Sequence, residues 1–431
     1  MADLRVVRAK SKDYYWYSPI LKPLLDDKAG DLIAFPQTEA DVLRIARVCV
    51  ERQIPVTVRG AGTGNYGQAV PLNGGLILDM TRMKSTQWIR PGLARAQAGV
   101  KMVTLDAQAR EHGWELRMFP STKRTATIGG FIAGGSGGVG SINFGLLTER
   151  GNVNALRVVT MEDEPRVIDL RGDDVLKAIH AYGTTGIITE LEIGLGPTYP
   201  WVDLIVAFDD FMTAARFGQA LGEADGIVKK EIAIMAWPIP QYFTRLGAAI
   251  PAGAHTAFLM VAEPSLEALG ELVREHGGTI CHRRPSVDVQ KDPPLYEYTW
   301  NHTTLHALKV DPTITYLQSL FPAGRNLDLV EHMFWHFGDE VPVHLEFIRV
   351  QGRVTCSALQ LVRFTTEARL YEIIAYHEAH AVAIFNPHTY ILEDGGMKTI
   401  DEHQLAFKRL VDPRGLLNPG KMRAWWEWAA S

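Results

Sequence analysis

The 431-residue chain has only three cysteines, Cys49, Cys281 and Cys356, odd in number and far apart. That spacing does not suit a disulfide framework, no Cys-x-x-Cys pair occurs, and a reducing, cytoplasmic setting is the expectation. Long apolar runs are missing too: nowhere do eighteen apolar residues follow one another, and the charged N-terminus lacks the apolar stretch of a leader. There is no excess of one charge. With 44 Lys+Arg against 49 Asp+Glu and a net charge of -5, neither a nucleic-acid surface nor a basic membrane-binding face is indicated. What remains, 46% hydrophobic and 22% charged residues, is the composition of a soluble globular protein long enough for two or three domains.

Glycine is what the sequence has in unusual local abundance. Residues 129–145, GGFIAGGSGGVGSINFG, hold eight glycines in seventeen positions, against 39 in the whole chain. A flexible linker would carry Ser, Pro or charge, whereas this run is anchored by Phe131, Ile132, Val139, Ile142 and Phe144. A buried loop wrapping a ligand fits it better.

Upstream, Thr38 reads as the N-cap of a helix carrying Val42, Ile45, Ala46 and Cys49 at helical spacing. Val56–Val58 and Leu76–Leu78 read as strands separated by a loop with glycines 60, 62, 64 and 67, and residues 156–160, 167–170 and 186–193 as further strands. Past Pro200 the alternation resumes, with strands at 202–208, 256–262 and 343–350 and helices near 210–224 and 265–276. The expected fold class is therefore α+β.

Gly62-Thr-Gly64-Asn-Tyr-Gly67 satisfies the G-x-G-x-x-G fingerprint of dinucleotide folds. Its context fails. Only eight residues, with Pro71 among them, separate Gly67 from the next strand, too few for a crossover helix. Consecutive backbone amides can still cradle a phosphate without any helix, and Arg59 would add charge. The alternative is a glycine-rich turn with no ligand.

Taken together, four segments in order resemble the FAD domain of the vanillyl-alcohol-oxidase and p-cresol-methylhydroxylase superfamily: Pro36-Gln-Thr-Glu-Ala-Asp-Val, Val58-Arg-Gly-Ala-Gly-Thr-Gly, residues 127–145, and Tyr182-Gly-Thr-Thr-Gly-Ile-Ile-Thr. Asp412-Pro-Arg-Gly-Leu-Leu-Asn-Pro-Gly-Lys421 resembles that superfamily's C-terminal signature. The resemblance implies a two-subdomain FAD-binding domain of the p-cresol-methylhydroxylase type over 1–197. It further implies an α+β cap with an antiparallel sheet over 198–405, and a return to the FAD domain over 406–431. It places the pyrophosphate on Arg59, Gly60, Ala61, Gly62, Thr63, Gly64, Asn65, Gly67 and Gln68. Pro120, Ser121, Thr122, Thr127, Gly129, Gly130, Gly134, Ser136, Gly137, Gly140 and Ser141 would line the other side of the cofactor. Gly183, Gly186 and Ile188 would meet the adenosine half, with Asn418 from the C-terminal signature. Where members that attach flavin through this loop carry a histidine, Thr63 stands, so FAD is expected to be non-covalent.

The resemblance implies hydride transfer from a CH–OH or similar C–H group of a small organic substrate to flavin, then to oxygen or another acceptor. Its alternative is a flavin-carrying, non-catalytic or electron-relay subunit of a larger complex; a homodimer is left open. His336-Phe-Gly-Asp-Glu-Val-Pro-Val-His344-Leu-Glu346 is similar to the metal-binding element of the 2-hydroxy-acid dehydrogenase branch, and Glu393-Asp394-Gly395 to its Glu-His-Gly element. His336, His344 and Glu393 would be the metal ligands, but one extra residue and two replaced positions argue against the metal. His344 and Glu346, at i and i+2, share one face of a strand and suit proton abstraction, or else form a solvated strand edge. His302 and Tyr390 complete the candidate catalytic set. His332 and His336 read as one face of an amphipathic helix, His377 and His380 as an exposed helix, and His302 and His306 as cap packing or a substrate-site lining.

Overall fold

The computed structural model describes residues 3–287 and 293–431. The chain divides into two compact units: Met1–Ser136, Leu147–Thr198 and Asn386–Ser431 form the first, Gly137–Leu146 and Tyr199–Phe385 the second.

The first unit is built on two sheets. In the smaller one, Leu32–Ala34 and Val56–Arg59 flank Leu76–Asp79, both parallel to it. Leu76, Ile77 and Leu78 are all buried, as a central parallel strand requires. The helix Glu39–Glu51 starts on a capping box: the Thr38 side chain accepts from the Asp41 amide while the Asp41 carboxylate accepts from the amides of Thr38 and Gln37. One stripe of that helix, Val42, Ala46, Cys49 and Val50, packs against Leu76, Leu78 and Leu417. Each such aliphatic side chain contributes about 1.5–3 kcal/mol through burial. No helix lies between Val56–Arg59 and Leu76–Asp79; residues 60–75 make the parallel connection as a loop.

The larger sheet of this unit runs Thr86–Arg90, Leu93–Gln97, Ile187–Pro197, Val153–Val159, Val167–Arg171, all antiparallel, with Trp114–Leu116 on the far end of Ile187–Pro197. The C-terminal signature returns to the smaller sheet. The Val56 amide donates to Leu416 O and the Asn418 amide to Val56 O, both at 2.8 Å. Asp412, fully buried, accepts from the amides of Leu416 (2.9 Å) and Leu417 (2.8 Å) and is paired with the buried ammonium of Lys408, which also donates to Thr184 O at 2.8 Å.

The second unit is an eight-stranded antiparallel sheet in the order Thr279–Pro285, Trp201–Phe208, His255–Ala262, Lys229–Met235, His344–Val350, Arg353–Ala358, Ser319–Leu320, Ala383–Ile384. The helix Phe211–Glu223, capped by Asp210, buries Phe211, Ala214, Ala215, Phe217 and Leu221. Among the described residues, no helix is long and apolar enough to cross a membrane.

The expected boundaries shift in two places. Residues 137–146 leave the first unit, because Gly140 donates to Lys230 O at 2.8 Å and Arg349 reaches Ile142 O at 3.0 Å. Residues 386–405 join it, because His388 Nδ1 meets Ser18 Oγ at 2.7 Å and the Leu392 amide donates to Lys421 O at 2.9 Å.

Lys408→Met would strand the buried Asp412 carboxylate, and loss of one partner from a buried pair costs about 3–5 kcal/mol. Thermal unfolding of the variant is expected several degrees below wild type; an unchanged midpoint would contradict the role given to this pair.

Candidate functional site

The glycine loop of the first unit begins where Val56–Arg59 ends. Gly62 has φ +71°, and a Cβ there would lie 2.0 Å from Arg59 Nη2, so both the backbone and the space demand glycine. Among the described residues, the amides of Gly62, Thr63 and Gly64 donate to no backbone carbonyl. Arg59, expected to add charge at the loop, engages backbone carbonyls through its guanidinium. It is buried and donates to Lys10 O (2.9 Å), Lys12 O (2.6 Å) and Ala61 O (3.2 Å), leaving only Nε without a partner.

Beyond Asn65, which is buried, the loop exit is held residue by residue from the two ends of the chain. Lys421 Nζ donates to Gly67 O at 2.6 Å. Asn418 Nδ2 donates to Gln68 O at 2.8 Å and to Tyr182 O at 2.7 Å. The Ala69 amide donates to Asp13 at 3.2 Å. Burial raises the Asp13 carboxyl to about 6 and lowers the Lys421 ammonium to about 7, each tempered by the other's charge. Asn418 Oδ1 has no partner, an acceptor left over inside the fold.

The second glycine segment follows a turn at Pro120-Ser121-Thr122, where the Lys123 amide donates to Pro120 O and the Ala126 amide to Thr122 O. Thr127 caps the short helix Ile128–Gly134 by accepting from the Gly130 amide at 3.3 Å. A Cβ at Gly60 would come within 2.1 Å of that Thr127 hydroxyl, and one at Gly129 within 2.5 Å of Ala98 Cβ. Gln68 Nε2 reaches Gly134 O at 3.4 Å, tying the two glycine segments together. The far end of the helix is met by His180, whose Nδ1 lies 2.9 Å from Gly135 O, and by the Tyr182 amide, which donates to Ala133 O at 2.9 Å. Gly183 and Gly186 follow with φ +69° and +118°, and Ile188 is a buried strand residue that offers only backbone. Ser136 ends this part of the unit; Gly137, Gly140 and Ser141 belong to the second unit, where Ser141 Oγ accepts from the Gly138 amide.

The residues present fit FAD. Side chains are excluded where the backbone segments approach, three successive amides are unspent, and Asn418 Oδ1 awaits a donor.

In the second unit, His344 and Glu346 stand on one face of a strand inside the sheet. Both are fully buried, which overturns the solvated-edge alternative. His344 Nε2 lies 2.9 Å from Glu346 Oε1, and the same oxygen accepts from the Trp300 amide at 2.7 Å. His344 Nδ1 has no partner. Burial lowers the His344 imidazole to about 3 and pushes Glu346 well above the usual carboxylate range. On the neighbouring strand Glu231, also buried, lies 2.5 Å from Thr299 Oγ1 and is pushed up by burial and by the charge of Glu346.

The remaining candidates are dispersed. His302 and His306 occupy the helix Asn301–Leu308, half-buried, with His306 stacked on Tyr298 at 4.6 Å; burial lowers both to about 4. Tyr390 belongs to the first unit, its ring under the Lys421 ammonium at 5.0 Å. Of the expected metal set, His336 and His344 belong to the second unit and Glu393 to the first. His336 stacks on Tyr376 at 3.9 Å, and Glu393 accepts from the amides of Arg423 and Ala424 at the start of the last helix. Among the described residues, no group of three or more His, Cys, Asp or Glu is disposed to hold a metal. His377, expected on an exposed helix, is buried against Gln360 at 3.1 Å.

Residues 30–168 match the model of the FAD binding domain family. This chain carries an FAD binding domain. Glycolate oxidase subunit GlcD of Escherichia coli is 31% identical over 214 residues, covering 47% of this chain and 42% of that protein. Its namesake in Bacillus subtilis is 26% identical over 436 residues, covering 91% and 89%. The chain thus spans less than half of the E. coli relative at the higher identity. Alkyldihydroxyacetonephosphate synthase has the same fold, with a TM-score of 0.67 at 16% identity over 91% of this chain and 76% of that one. The superfamily resemblance read from the glycine segments stands.

Sequence reasoning missed Asp13, Glu231 and Thr299. Glu231 had a signal, an acid between two lysines and the apolar run Ile232–Met235; Asp13 had none, because its partner Lys421 lies at the other end of the chain.

Gly130→Val is expected to push Thr127 away from the loop and abolish FAD retention, read from flavin absorbance after purification; a yellow variant would contradict the cradle. Burial lowers His180 to about 4. Unfolded, it titrates near 6.5, so the unfolded state binds more protons between these values. Stability is expected to fall as pH drops from about 6.5 to 4, and His180→Gln to flatten that fall; an equally steep fall in the variant would contradict it.

Proposed function

We propose that this protein is an FAD-dependent oxidoreductase acting on the CH–OH group of a small 2-hydroxy acid or similar alcohol, with FAD held non-covalently. The observation that carries the reading is the run of amides at Gly62–Gly64 that donate to no backbone carbonyl, within a segment matched to FAD binding, with the unpartnered Asn418 Oδ1 on the side chain that holds the loop exit. The names of the glycolate oxidase relatives favour the hydroxy-acid class. When bound, FAD supplies the hydride acceptor. The loop amides bind the pyrophosphate, Asp13, Asn418 and Lys421 fix the loop exit, and Thr63, without a nucleophilic ring nitrogen, leaves the flavin unattached.

His344 is the proton acceptor in this reading. Burial keeps it neutral against a backbone hydrogen bond with Leu359, and in the tautomer with the hydrogen on Nε2 facing Glu346, Nδ1 is the nitrogen that takes a hydroxyl proton. The same engagement of Nε2 speaks for acid–base work and not metal ligation.

Anaerobic mixing with glycolate, lactate and a panel of alcohols should bleach the flavin of the purified protein. His344→Ala should keep FAD and slow bleaching by about 10²–10⁴-fold, the usual worth of a general base. A yellow protein that no CH–OH donor bleaches would overturn the enzymatic reading, and an unimpaired His344→Ala would overturn the residue's role.

A further inference from the structure

Glu231 and Glu346 lie on neighbouring strands of the second unit. Ala233 pairs with Glu346 across the ladder, so Glu231, two residues along, shares its face. Two carboxylates this near each other inside a fold cannot both be ionised at reasonable cost. Burial raises both, and their hydrogen-bond partners differ in kind.

Thr299 Oγ1 lies 2.5 Å from Glu231 Oε1 and 3.0 Å from Tyr296 O. A hydroxyl has one proton, and a carbonyl can only accept. The Thr299 hydroxyl can donate to Glu231 or turn to Tyr296 O, and in the second arrangement the short contact takes its proton from the Glu231 carboxyl. Glu346 is the opposite case, because its Oε1 accepts from the Trp300 amide, a donor that cannot reverse, and lies 2.9 Å from His344 Nε2, an arrangement suited to an ionised oxygen. Thr299 and Trp300 are consecutive, and Trp300 has φ +50° without being glycine. One strained step of backbone thus addresses both carboxyls and treats them differently.

We propose that Glu231 is a positioning residue: it is held as the neutral acid by Thr299, and so keeps Glu346 a carboxylate that fixes His344 as the Nε2–H tautomer with Nδ1 open. Other charged groups around the pair reinforce the assignment. Asp203, on the strand Trp201–Phe208, adds negative charge beside Glu231 while accepting from the Leu295 amide at 2.9 Å and lying 3.8 Å from Arg284; His302 follows on the helix after Trp300 and is kept neutral by burial. When His344 takes a proton at Nδ1, the proton on Nε2 passes to Glu346, which becomes neutral; Glu231 keeps its own. The step needs a vacant Glu346 and therefore an occupied Glu231.

This assignment rests on the proposed role of His344 for its purpose, but its test does not. Infrared spectra of the full-length holoprotein at neutral pH, recorded in H₂O and D₂O, should show a buried carboxylic-acid C=O band. It should vanish in Glu231→Gln, persist in Glu346→Gln, and shift in Thr299→Val, a variant that keeps the fold's bulk at that position. In flavin reduction, Glu346→Gln should be slower by about 10²-fold or more. Absence of the band in wild type, or its loss in Glu346→Gln but not in Glu231→Gln, would overturn the inference even if the protein oxidises alcohols. The expected band pattern in a protein that bleaches with no substrate would sustain it and sink the enzymatic reading instead.

Discussion

Two parallel strands joined without a helix leave a long stretch of polar backbone to be satisfied by other means. In this protein the stretch is residues 60–75, and its solution is the clamp made by Asp13, Asn418 and Lys421 on Gly67, Gln68 and Ala69. Because the loop exit is held by residues from both chain ends, Gly62–Gly64 can keep their amides unspent. Amides left in this state are the kind of donors an anion can take up. The Asp412–Lys408 pair and the Leu416–Val56 bond hold the C-terminal signature where Asn418 and Lys421 can reach.

The second unit solves a different problem. Its sheet buries acids, a histidine and hydroxyls on one face, where each unpaired group would cost on the order of 1–3 kcal/mol. Glu346 meets this cost with two donors and Glu231 with Thr299, while His344 Nδ1 is left unmet. A buried group without a partner is where chemistry has most to gain, since a reacting hydroxyl can supply what the fold withholds.

Much of the first unit was legible because its signals are local. The Thr38 cap, the two short strands, the absence of a crossover helix and the positions demanding glycine each follow from residues close together in sequence. Arg59 was misread because its partners are backbone carbonyls of Lys10 and Lys12, which carry no side-chain signature. The solvated reading of His344 and Glu346 failed because period-2 alternation is lost when a strand is buried on both faces, as Leu345 and Phe347 also are. Tyr390 and Glu393 were assigned to the cap because residues 386–405 carry no strong element to mark the boundary; their allegiance is set by Ser18 and Lys421, far away in sequence.

The central claim is that Gly62–Gly64 hold a pyrophosphate by backbone alone. A crystal structure of the protein with bound FAD tests it most directly. The account predicts pyrophosphate oxygens within hydrogen-bonding distance, about 2.7–3.2 Å, of those amides, with a ligand donor on Asn418 Oδ1. Flavin bound elsewhere, or those amides turned to solvent in the occupied protein, would contradict it.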